Sequence, residues 1–186
     1  MESSRAKKAK IGRLLSKSES AVEVDLQALK PLTTAASVRD VRFIGFSAGA
    51  APEILNVVEH GFCQRILYKA ELLNDDGDAP PPLVVYLDFK YEALCQKKVV
   101  CKISTEMLAF YSIPEEVLSH SSLAQRRLFA RTNGLYSCWP YLREFVASSA
   151  ARLGLPRIAL PVWRIPKVLP PEGQFSTMEL HASATK

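Results

Sequence analysis

The side chains best suited to nucleophilic or metal chemistry are four cysteines and three histidines. Cys63, Cys95, Cys101 and Cys138 show no Cys-x-x-Cys spacing, and their neighbours are the apolar residues typical of buried free thiols. Cys95 and Cys101 flank a hairpin turn, near enough for one bridge that a core of this size does not require. His60, His120 and His181 are scattered, with no Cys, Ser or acid beside them in a recognisable catalytic frame. Asp75, Asp76 and Asp78 crowd three carboxylates together but lack the downstream Glu of a calcium loop, so they read as a solvated turn. The eight glycines form neither Gly-x-Gly-x-x-Gly nor a phosphate loop. The expectation is a chain without catalytic residues, metal or cofactor. An enzymatic alternative would have to rest on Cys63 or His60.

Composition narrows the choice further. Hydrophobic residues make up 48% of the 186 and charged residues 23%, which is globular composition for one domain with tails. No apolar run approaches the roughly 20 residues of a membrane-spanning helix, and residues 11–15 are too short and too polar for a secretory signal. Free thiols and the missing signal together place the chain in a reducing cytoplasm. The net charge of +5 resides in residues 1–18, where Arg5, Lys7, Lys8, Lys10, Arg13 and Lys17 face Glu2 alone, so the rest of the chain is neutral. This is a solubilising arm without aromatic stacking residues, and no nucleic acid is expected as partner.

The elements that must position any site read clearly. Residues 1–18 form a disordered basic arm, and 19–37 a short helix or linker that Pro31 interrupts. Four strands follow, over 38–47, 62–73, 83–95 and 99–111. The third is the cleanest, with Leu83, Val85, Leu87, Phe89, Tyr91, Ala93 and Cys95 on one face and Asp88, Lys90 and Glu92 on the other. The short link after Cys95 predicts an antiparallel hairpin. Asn74 and the residues up to the prolines Pro80, Pro81 and Pro82 form a turn-rich loop. The period then changes from 2 to 3.6. Ser122 caps one helix that Asn133-Gly134 ends. Leu135, Trp139, Leu142, Val146, Ser149 and Leu153 then mark a long helix at steps of four and three, with Gly154 as its stop and Pro140 as its start or kink. Residues 166–186 read as a Pro-rich flexible tail. One helical layer covers one face of such a sheet, so the excess apolar surface implies an α+β interaction protein that self-associates or binds apolar partners.

The segment Trp139-Pro140-Tyr141-Leu142-Arg143-Glu144, with the small-residue turn and Leu155-Pro156 beyond it, resembles the long helix of the SecB family of export chaperones. The short stretch Ile158-Ala159-Leu160-Pro161-Val162 and the upstream strand order fit the same pattern over roughly residues 38–165. The resemblance implies a four-stranded antiparallel sheet followed by a long helix. It also implies pairing through sheets and a homotetramer, a dimer of dimers, packed through the long helices. Its members hold unfolded polypeptides in apolar grooves without ATP or cofactor, and either deliver them to SecA for export or protect the antitoxin of a toxin–antitoxin system. The neutral domain, longer N-terminal extension and Pro-rich C-terminus depart from the acidic, helix-ending SecB pattern and favour the SecB-like branch.

For client contact the residues singled out are Phe43, Phe46, Leu67, Tyr68, Tyr136 and Trp163. For the oligomer interface they are Trp139, Tyr141, Leu142, Phe145, Val146, Ser149 and Leu153. Arg143 and Glu144 fit a helix-surface ion pair better than a binding role. If the basic arm is only a solubiliser, deleting residues 1–18 leaves suppression of client aggregation, read by light scattering, unchanged.

Overall fold

The computed structural model describes residues 22–73, 83–156, 158–171 and 174–182; the expected arm over 1–18 and the loop over 74–82 lie outside the described residues. The chain opens with β1 (Val22–Glu23), α1 (Leu26–Ala35) and β2 (Ser37–Ala50). A 3₁₀ turn (Pro52–Asn56) and α2 (Val57–His60) lead to β3 (Phe62–Leu72), β4 (Leu83–Cys95) and β5 (Lys98–Ser112). Then come α3 (Glu115–Ser119), α4 (Leu123–Phe129), α5 (Leu135–Arg152), β6 (Val168–Leu169) and β7 (Ser176–Ala182). The main sheet is antiparallel with order β2-β5-β4-β3-β7, and β1 pairs with β6.

The four expected strands form, and the expected hairpin joins β4 to β5. Its two turn residues, Gln96 and Lys97, both take positive φ, 50° and 68°, the twist that a tight hairpin needs. The sheet has five strands rather than four. The region 166–186, expected as a flexible tail, contributes both β6 and β7. Pro170 and Pro171 precede β7 and leave its ladder intact, and the outer edge of β3 supplies unpaired backbone groups for it.

Local caps agree with the sequence. Asp25 caps α1 by accepting from the backbone N–H of Gln27 and Ala28. Pro31 does not interrupt α1, because Leu29 and Leu32 are buried on its inner face and the proline stays exposed. Ser122 and Gln125 form a reciprocal capping box at α4. At the end of α5, Leu155 N–H donates to Ala150 O and Gly154 N–H to Ala151 O, with Gly154 at φ +80°. That pattern is the Schellman stop expected at this glycine.

Asn133-Gly134 does not end a helix. The chain passes from α4 through a π turn (Ala130–Gly134) directly into α5, and Gly134 is right-handed at φ −57°. The glycine answers a steric demand instead. A Cβ there would lie 2.6 Å from Val85 Cγ1 on β4. The wider turn also directs the Asn133 carbonyl outward to accept from the Tyr111 hydroxyl at 3.1 Å. The helix thus lies against the sheet, and its stripe meets Val85, Leu87, Phe89, Ile103, Met107 and their neighbours in one core.

Trp139, Leu142, Val146 and Ser149 belong to that core and are buried. These four, singled out above for an oligomer interface, cover the chain's own sheet, the first use of a stripe at helical spacing. Trp139 meets Phe89 edge-on and stacks beside Trp163 at 5.1 Å, while its Nε1 donates to Pro161 O at 2.7 Å. Phe145 and Leu153 are half-buried at the margin, and Tyr141 faces outward.

None of the four cysteines is in a disulfide, and Cys95, Cys101 and Cys138 are buried. Burial pushes the Cys138 thiol from the ordinary 9.0 up to about 12, and Cys101 up to about 11. Both are therefore held neutral in the folded chain, while an unfolded thiol ionises first as pH rises. Their contribution to stability is complete below pH 9.0 and is lost as pH climbs toward the folded values. Thermal midpoints followed by circular dichroism should fall across that alkaline window, and less steeply for Cys138→Ala. Gly134→Ala should destabilise the fold by about 1–3 kcal/mol in denaturant titration, because Val85 is buried and cannot yield.

Candidate functional site

The residues singled out for client contact separate into four places. Phe43 and Phe46 lie on β2, which pairs with β5 on one side only and forms one edge of the sheet. Their register opposite Met107 and Thr105 puts both on the face that carries the helix. They are nonetheless 40% and 74% exposed, because α5 does not extend over the outer side of β2. The β2 register shifts between Phe43 and Gly45, so that Ile44 is also exposed.

Tyr68 and Trp163 are core residues in this chain, packed edge-on at 4.7 Å, and offer no surface. Burial pushes the Tyr68 hydroxyl above its usual range. Trp163 is captured because the extended chain after α5 folds back over β3, with Ile158 and Leu160 buried beside it. Leu67 is half-buried on the opposite sheet face, across from Lys90 and Thr177. Tyr136 is exposed on α5.

The residue that completes the exposed site is Phe145. Its ring lies 5.3 Å from Phe43 and 6.0 Å from Phe46, so three aromatics from one strand and one helix converge. Sequence spacing assigned Phe145 to an oligomer interface because it widens the α5 stripe. Its marginal position is the signal that it lies where the helix leaves the sheet. Aromatic pairs in tilted or edge-on geometry contribute about 0.5–1.5 kcal/mol beyond their area. Here they also leave ring surface open to a partner, and the adjoining β2 backbone edge carries hydrogen-bonding groups not used by β5. Ring contact and backbone pairing at a sheet edge are general means of recognising extended apolar peptide.

The other face of the sheet is charged. Arg65 reaches Glu92 at 3.4 Å and Glu179 at 3.1 Å, and Lys69 pairs with Glu71 at 2.9 Å. Lys90 bridges toward Asp88 and sits 4.0 Å over the Phe175 ring. The Tyr86 hydroxyl is held neutral by burial and by its bond to Glu106 among nearby carboxylates. These charges are mutually compensated within and across strands, which suits a solvated face. A shallow groove of about 560 Å³ lies along the outward side of α5, between Arg143, Glu144, Ala147 and Ala151 and the returning Leu155 and Ile158. Among the described residues, no three His, Cys, Asp or Glu side chains come within reach of a common metal ion, and no helix is long and apolar enough to cross a membrane.

No protein-family model matches the chain, and no curated protein matches it. Among solved structures, it is similar to a SecB-like chaperone of Mycobacterium tuberculosis, determined in complex with a ChAD peptide from the HigA1 antitoxin. The match has a TM-score of 0.55 and 22% identity, and covers 75% of this chain and 99% of the other. At that identity the likeness is one of fold: the chain has a SecB-like α+β fold.

Proposed function

We propose that this chain is an ATP-independent chaperone that holds an unfolded segment of a partner protein on the Phe43–Phe46–Phe145 surface. The observation that carries this reading is that surface itself: three converging aromatics, with Phe46 74% exposed, on an edge strand that its own helix leaves uncovered. Holding is then mass action. Each ring that a client covers contributes roughly 1.5–3 kcal/mol, and the unfolded chain is withdrawn from aggregation without any chemical step. Neither catalysis nor a cofactor is part of the mechanism.

A narrower reading, a chaperone dedicated to one partner such as an antitoxin, is supported by the similar structure, whose bound peptide comes from an antitoxin. Delivery to SecA for export is the less favoured route, because the outward sheet face is charge-balanced rather than acidic. Assembly as a tetramer in the cytoplasm is part of the proposal. With the α5 stripe used in the core, the helix-to-helix contact would fall on the outward side of α5, around Tyr141, Ala147 and Ala151.

Multi-angle light scattering of the purified protein, alone and with a chemically unfolded test protein, checks this. A mass near four chains that shifts to a stable client complex without nucleotide is the expected result. A monomer that ignores the unfolded chain would defeat it. Phe46→Ser should weaken client binding roughly tenfold to a hundredfold while thermal stability stays unchanged, since the ring is mostly exposed. A pull-down dominated by one partner would favour the dedicated reading over the general one.

A further inference from the structure

The second edge of the sheet is built differently from the first. β7 lies along the outer side of β3 in antiparallel register, from Tyr68 opposite Ser176 to Phe62 opposite Ala182. None of residues 176–180 of β7 is fully buried. Met178 and Leu180, its inward residues, are half-buried, whereas their neighbour Ile66 on β3 is 0% exposed. β7 is therefore a cover held mainly by backbone pairing, and the core beneath it is completed by β3, β4 and β5. Its outward Glu179 sits across from Arg65 at 3.1 Å.

The fit is imperfect at one position. The Gln64 side chain is buried, 8% exposed, and among the described residues its Oε1 has no hydrogen-bond partner. Gln64 stands directly opposite Leu180, an apolar residue that offers it no donor. A buried amide oxygen without a partner costs free energy that a hydroxyl or amide donor at that register would recover. The seat thus asks for chemistry that β7 lacks.

We propose that the outer edge of β3 is a strand-binding seat that β7 occupies in cis, and that an extended segment of a bound polypeptide replaces β7 there. The preferred segment has an apolar residue opposite Ile66, an acid opposite Arg65 and a Ser, Thr or Asn in the place of Leu180. Main-chain pairing supplies affinity, and the alternate side chains supply selectivity. Because β7 competes from the same molecule, it raises the threshold for entry, and only a segment that satisfies Gln64 displaces it readily. This deepens the chaperone reading and rests on it: one client would meet the aromatic surface at β2 and the strand seat at β3.

The test uses the full chain and labelled peptides of residues 174–182, one with the natural sequence and one carrying Leu180→Asn. Met178→Pro in the protein disrupts the β7 ladder, and Arg65→Cys with Glu179→Cys locks β7 to β3 when oxidised. A competitor absent only a tenth of the time lowers apparent affinity about tenfold, so Met178→Pro should bind peptide at least about tenfold more tightly than the unaltered chain. The Asn peptide should bind more tightly than the natural one. The oxidised double variant should not bind, and reduction should restore binding. Equal binding by locked and reduced protein, or no gain in Met178→Pro, overturns the seat. So does a doubled mass from exchanged β7 strands that excludes peptide, which would assign the edge to a second copy. Aggregation suppression on the same samples reports separately on the chaperone reading. Suppression retained without peptide effects sinks the seat alone, and peptide effects without suppression sink the chaperone reading alone.

Discussion

The distance between Gly134 and Val85 governs much of this molecule. At 2.6 Å from where a Cβ would stand, no other residue lets the helix approach β4 so closely. That approach brings Phe129 edge-on to Tyr111 at 5.1 Å and Trp139 edge-on to Phe89 at 6.1 Å. The π turn that contains Gly134 reconciles two requirements. It keeps one helical path from α4 into α5, and it supplies Tyr111 with a carbonyl acceptor inside an otherwise apolar layer.

From that close contact the helix runs on until Phe145 meets Phe43 and Phe46. α5 and its returning extension, with residues of α1, α4 and the π turn, cover the middle strands, and the two edges are left to separate solutions. At β3 the backbone edge is covered by β7. At β2 it is not, and apolar rings lie beside open backbone. Proteins commonly blunt such edges. The exposed aromatic surface is thus a geometric consequence of a five-stranded sheet under one helical layer.

The same geometry separates two kinds of aromatic residue that look alike in sequence. Tyr68, Trp139 and Trp163 form a contiguous aromatic cluster with centroids 4.7 and 5.1 Å apart, which fixes the segment after α5 on β3. Phe43 and Phe46 have the same alternating context but lie one strand beyond the helix. Burial here depends on strand order, and β2 is placed at the edge by pairing with β5 rather than with its chain neighbour β3.

Much of the fold is legible from residue pattern alone. Period-2 alternation located β3, β4 and β5 within a residue or two, and the step-of-four-and-three stripe located α5, since each pattern reflects one local backbone geometry. Ser122, Gly154 and the β4–β5 turn are equally local and equally readable. Only the tertiary structure decided that Gly134 serves close packing rather than a helix stop, that the α5 stripe packs on the chain's own sheet, and that 176–182 is a strand. It also decided that Phe145 joins Phe43 and Phe46 while Tyr68 and Trp163 leave that group. Local sequence fixes which side of an element is apolar. Which apolar sides find a partner within the chain depends on contacts between residues far apart in sequence, and those are set by strand order and packing distance.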